Sequence, residues 1–127
     1  MKVLALDYGS ARTGVAVSDP TGTVARPLCT VDRAGTEDGL ARLRELVVAE
    51  EADCVVVGLP LTLRGEHGEQ ATETGRFVDD LRAVLDVPVE TYDERFTTAL
   101  AGPGEGDDAR AAAHLLSSYL EWTSRRS

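Results

Sequence analysis

A chain of 127 residues with 43% hydrophobic and 28% charged residues has the size of one soluble globular domain, spanning 1–127, and is too short for a two-domain enzyme. Its 22 acidic residues outnumber 13 basic ones, and a formal net charge of -9 excludes nucleic-acid binding through a generally basic surface, leaving a local basic rim or metal ions for that task. Cys29 and Cys54 fit neither a disulfide framework nor metal-site spacing, and no apolar run approaches the roughly 20 residues of a membrane span, so a cytoplasmic protein with no membrane partner is expected.

In chain order, Val3-Leu4-Ala5-Leu6 reads as a buried strand ending at Asp7, and Thr13 to Ser18 as a second strand joined to it through Gly9-Ser10-Ala11-Arg12. Pro20-Thr21-Gly22 is a turn, and Thr23 to Pro27 a short third strand placed at the periphery by its proline. Thr30 to Gly35 is polar and predicts a loop. From Thr36 to about Glu50, Leu40, Leu43, Leu46 and Val47 recur at helical spacing. Cys54 to Val57 carry no charge, as in a strand covered on both faces. Leu61 to Glu69 then reads as an exposed loop at that strand's carboxyl end, where open α/β sheets place ligands.

Gln70 to about Leu85 returns to helical period, and Pro88 to Tyr92 is a fifth strand ending at Asp93-Glu94-Arg95. Gly102-Pro103-Gly104-Glu105-Gly106 predicts a flexible connection. A last helix starts near Asp107 or Asp108, with Ala112, Leu115, Leu116, Tyr119 and Trp122 as its inner stripe, and frays from Thr123 to Ser127. The pattern βββαβαβ plus a helix predicts an α/β fold with a mixed sheet, its antiparallel hairpin strand at an edge.

A carboxylate at the end of a buried strand is costly unless a cation or hydrogen bonds compensate it, which singles out Asp7. Asp93 and Glu94 end another strand and Asp108 opens a helix, so these acids converge if both strands point their carboxyl ends to one side. Oxygen-only ligation suits Mg²⁺ or Mn²⁺, and such ions can activate a water for phosphoryl displacement. Spacing alone favours the plainer alternative, because most carboxylates merely solvate a surface.

Four blocks in order, DYGSARTGVAVSD, VVVGLPLTLRGEHG, DERFTTALA and DARAAAHLLSSYL, resemble the successive signatures of the YqgF/RuvX family, pre-16S rRNA nucleases similar to Holliday junction resolvases. The resemblance implies an RNase H-like fold with a five-stranded mixed sheet whose second strand is antiparallel. It also implies a cytoplasmic, Mg²⁺- or Mn²⁺-dependent nuclease that matures the 5′ end of pre-16S rRNA, or acts on branched DNA, as a monomer or weak homodimer. Catalytic positions carry over to Asp7, Asp93 and Asp108, with Glu94 as an additional metal ligand. Family members usually carry a longer segment before the last helix, whereas Thr98 to Asp107 is short and glycine-rich here, which implies a reduced grip on nucleic acid.

Around these acids, Arg12, Arg64 and Arg95 are candidate phosphate contacts, although Arg95 could equally pair with Glu94 or Asp93, and a turn residue such as Arg12 is often only solvated. Tyr8 either stacks on a base or shields the site. Thr97 and Thr98 read as bracing residues, His67 as an exposed loop residue and His114 as structural. Two other functions stay open: a noncatalytic nucleic-acid-binding ribosome-assembly factor, and an ATP-binding module of the actin and sugar-kinase type, which shares Asp-x-Gly before a hairpin but needs two domains.

Overall fold

A computed structural model describes residues 1–59, 69–93 and 108–126. The expectations for Arg64, His67, Glu94, Arg95, Thr97, Thr98 and the Gly102 to Gly106 connection lie outside the described residues. The elements are β1 (Val3–Asp7), β2 (Arg12–Ser18), β3 (Ala25–Asp32), α1 (Glu37–Ala49), β4 (Cys54–Leu59), α2 (Glu69–Val84), β5 (Val89–Asp93) and α3 (Asp108–Arg126). No helix among them is long and apolar enough to cross a membrane.

One five-stranded sheet carries the order β3-β2-β1-β4-β5. β2 is antiparallel to both neighbours, whereas β1, β4 and β5 run parallel. The antiparallel strand is therefore interior and not at the edge that the sequence suggested, because β3 pairs along its outer side. β3 itself is longer than the expected Thr23 to Pro27 and absorbs Thr30 to Asp32. The reason is a bulge: Val15 faces Cys29 while Ala16 faces Pro27, so Leu28 is the extra residue. That slip breaks the alternation a strand shows in sequence, and an edge tolerates the proline.

Strand alternation splits the interior into two layers. Leu4, Leu6, Val55 and Val57 face α1 and α2, where they pack with Leu43, Phe77 and Leu81. Val3, Ala5, Ala16 and Val56 face α3 and meet Ala112, Leu115 and Leu116. β1 and β4 are thus covered on both sides, which is why they read as unbroken apolar runs. Each fully buried Leu or Val among them contributes roughly 1.5–3 kcal/mol relative to an exposed one.

Local signals set the ends of α1. The Thr36 hydroxyl accepts from the Gly39 N–H at 3.2 Å and donates to the Arg33 carbonyl at 2.7 Å, and Glu37 and Asp38 complement the helix N-terminus. In α3, Leu120 is buried whereas Trp122 is 39% exposed, so the inner stripe ends differently from the sequence expectation. Trp122 lies at the rim of an aromatic group with Tyr92 and Tyr119, at centroid distances of 5.7 and 6.1 Å.

Candidate active site

Asp7 closes β1 directly opposite Gly14 on β2. Cross-strand partners share a face, and alternation from Val3 and Ala5 makes it the α3 face. At Gly14 the helix arrives: a Cβ built there would lie 1.7 Å from the Asp108 carbonyl oxygen and 3.0 Å from the Ala109 nitrogen. Only a residue without a side chain lets the first turn of α3 rest on β2 at this level. Asp7 and the backbone of Asp108, 101 positions apart in the numbering, are thereby brought to one face of the neighbouring strands β1 and β2.

Asp93 is placed differently. Leu6 pairs with Val57 and Val57 with Thr91, so Asp7 is level with Tyr92, and Asp93 lies one residue beyond, two strands and about 10 Å away. Tyr92 packs on the α3 side, so by the pleat alone Asp93 has the opposite parity to Asp7. Both strands do present their carboxyl ends to the same side of the sheet, as the sequence reading requires. Among the described residues no three His, Cys, Asp or Glu side chains stand together as a metal-binding group.

Arg12, expected in the connecting turn, is the first residue of β2, and its Nε lies 3.4 Å from Asp108 Oδ2. A guanidinium thus sits at the proposed site but is paired with one of its acids. The turn beneath it is braced by the fully buried Thr13, whose Oγ1 is 3.4 Å from both the nitrogen and the carbonyl oxygen of Gly9. Tyr8 turns to the opposite face. Its ring stacks on Phe77 at 4.3 Å and its hydroxyl donates to Glu73 Oε1 at 3.2 Å. Partial burial and the Glu73 carboxylate hold the phenol above its usual pKa of 10.0. That ring braces the turn from the α2 side, and its stacking on Phe77 occupies the face a base would need. His114 is half-buried on α3, consistent with a structural role.

Gly14 is the residue that sequence reasoning passed over. An isolated glycine within a strand pattern is the available signal, because it marks a close backbone approach. A groove of about 680 Å³ lies along the outer side of α1 and contains none of the candidate acids. The placement of Asp7 and the start of α3 on one face is the better guide to chemistry, because a carboxylate at the end of a buried strand needs compensation and an apolar groove does not.

A family model described as RuvX, Holliday junction resolvase, matches residues 1–122. The chain belongs to this RuvX family. A "Putative pre-16S rRNA nuclease" of Chloroflexus aggregans is 50% identical over 131 residues, covering 94% of this chain and 92% of the relative. One of the same name from Desulforudis audaxviator is 39% identical over 132 residues, covering 94% of each. Among solved structures, T. thermophilus RuvC in complex with Holliday junction substrate superposes with a TM-score of 0.64 at 20% identity, covering 98% of this chain and 96% of that one. The fowlpox virus Holliday junction resolvase gives a TM-score of 0.56 at 13% identity, covering 96% and 99%. The RuvX chain therefore has the RNase H-like α/β fold, its five-stranded mixed sheet matching the expected topology.

Proposed function

We propose that this RuvX chain is a cytoplasmic, divalent-metal-dependent endonuclease that hydrolyses phosphodiester bonds at the 5′ end of pre-16S rRNA, with branched DNA as the related substrate. The observation that carries the reading is the juxtaposition of Asp7 and Asp108 across Gly14, in a chain 50% identical to a relative bearing the nuclease name.

The donor set fits the metal. Asp7 and Asp108 would offer carboxylate oxygens from two separate elements on one face, and oxygen-only ligation suits Mg²⁺ or Mn²⁺. Asp7 and Asp108 would hold the ion, and Asp93 would join them only by leaving the pleat at the end of β5, with Glu94 as a further ligand. Bound there, it would supply an activated water and offset charge on the phosphate.

The chain's own groups do the rest. Asp7, at the end of a strand buried on both faces, is a fixed point against which the phosphate is aligned. Asp108 is positioned by the seat of α3 on Gly14. Arg12 offers a cation beside the acids for a non-bridging phosphate oxygen, and Arg64 and Arg95 extend that grip. A local basic rim is what a chain of charge -9 would need to hold a polyanion.

The test is Asp7→Asn, which preserves shape and removes the charge. Loss of Mg²⁺- or Mn²⁺-dependent cleavage of a pre-16S rRNA fragment, with unchanged circular dichroism, is the expected outcome. Undiminished cleavage overturns the site.

A further inference from the structure

Among the described residues two that are not glycine have a positive φ, Glu51 at 53° and Arg33 at 46°. Glu51 is accounted for by the end of α1. Its N–H donates to the Val48 carbonyl at 3.1 Å and that of Ala52 to the Val47 carbonyl at 3.0 Å, the left-handed close common to helices. Arg33 ends no helix. It lies in the turn from β3 to α1, where glycine or asparagine would take the same backbone at less cost, and the chain places its glycine two positions later, at Gly35.

The turn holds that conformation in place. The Arg33 N–H donates to the Ala11 carbonyl at 2.9 Å, and the Arg33 carbonyl accepts from the Thr36 N–H at 3.0 Å and the Thr36 hydroxyl at 2.7 Å. Ala34 is fully buried, and a Cβ at Gly35 would lie 3.4 Å from the Tyr8 hydroxyl, so the turn is seated on the residue next to Asp7. A strained backbone that its surroundings over-determine points to a use for the side chain it carries. The Arg33 side chain is exposed, and among the described residues no carboxylate forms an ion pair with it, although Asp32, Glu37 and Asp38 are close in the chain. Arg12, by contrast, is held by Asp108.

Register relates this guanidinium to the proposed site. Asp7 faces Gly14 and Gly14 faces Thr30, so Arg33 lies three residues past the level of Asp7, at the same end of the sheet and two strands to the side. That is roughly 10 Å sideways and up to about 10 Å outward, too far for a phosphate at Asp7 but suited to a flanking one. Arg12, opposite Asp32, stands between them. We infer that Arg33 binds a backbone phosphate beside the one that reacts, so that the RNA strand leaves the site over Arg12 toward the β3 edge. The inference rests on the nuclease reading and adds to it a residue and a direction. A guanidinium offers the planar donor fork that matches phosphate oxygens, and a braced turn presents it without the mobility of an ordinary loop.

Binding of a pre-16S rRNA fragment by the full chain is read by fluorescence anisotropy across a range of salt, in Ca²⁺, a hard cation that also takes oxygen ligands. Cleavage is read in Mg²⁺. Arg33→Gln is expected to raise Kd and KM about tenfold, with kcat changed less than about twofold. Its slope of log Kd against log salt should flatten by about 0.7–0.9, the mark of one lost phosphate contact, whereas Arg33→Lys should keep the wild-type slope. Arg33→Gly relieves the backbone and is expected to melt no lower than the wild type while binding as weakly as Arg33→Gln. Wild-type Kd and salt slope in Arg33→Gln, full binding by Arg33→Gly, or a loss confined to kcat overturns the inference. The nuclease reading survives each of those results, because cleavage by the wild type and its loss in Asp7→Asn test that reading separately. A wild type that neither binds nor cleaves the fragment overturns both.

Discussion

The carbonyl oxygen of Asp108 occupies the space that a side chain at Gly14 would need. This one contact fixes where α3 begins relative to the sheet. Because Gly14 is also the ladder partner of Asp7, it sets the spacing of the two acids proposed to act together.

Gly14→Ala is therefore expected to damage function beyond its effect on folding. The new methyl would lie 1.7 Å from backbone, which cannot rotate away as a side chain could, so the first turn of α3 must shift. Overpacking of this kind costs roughly 2–3 kcal/mol and lowers the melting temperature by about 10 °C. Gly75→Ala in α2 is the control, since nothing lies within 4 Å of its Cβ position, and it is expected to be neutral or to stabilise by about 0.5–1 kcal/mol. Cleavage measured well below both melting temperatures should be lost in the Gly14 variant and kept in the Gly75 variant. Normal cleavage by Gly14→Ala would mean that the seat of α3 does not set the site.

What the sequence made legible follows from how local each cause is. The apolar runs Val3 to Leu6 and Cys54 to Val57 announce strands covered twice, and the spacing of Leu43, Leu46 and Val47 announces the buried side of α1. The full length of β3 is hidden in the sequence because the bulge at Leu28 shifts its alternation, a cause that lies in pairing with β2 and not in β3 itself. Asp7 could be singled out by its place at a strand end. That Arg12 pairs with Asp108 could not, because the two meet only once α3 has crossed back over β2. Gly14 was visible as a residue but not as a seat for the helix, since what it accommodates comes 94 positions later.

Arg12 stands between two roles, partner of Asp108 and contact for phosphate. Its side chain is 54% exposed and that of Asp108 32%, so the pair contributes only about 0–1 kcal/mol to stability. Arg12→Gln is accordingly expected to shift the melting temperature by no more than about 3 °C. A charge-assisted phosphate contact is stronger, so KM for a pre-16S rRNA fragment should rise about tenfold and lose part of its salt dependence. Unchanged KM and salt slope with a lowered kcat would leave Arg12 as the partner of Asp108 alone.

Acid sensitivity should be concentrated at the turn after β2. The Asp19 carboxylate accepts the Thr21 hydroxyl on Oδ2 and the N–H groups of Val24 and Thr23 on Oδ1, the latter two at 2.8 and 2.7 Å. These bonds, the Thr21 hydroxyl foremost, favour the charged form and hold the group well below its ordinary value of 3.8. A depressed folded pKa means that the unfolded chain takes up the proton first as pH falls. The contribution of Asp19 is therefore complete above the ordinary carboxylate range and declines as pH drops below 3.8 toward the folded value. Asp19→Asn keeps an acceptor oxygen without the charge. Its urea midpoint should lie below that of the wild type near neutral pH, and the gap should close steadily in acid. A gap of constant size down to the acid limit of folding would show that the turn needs the shape of Asp19 and not its charge.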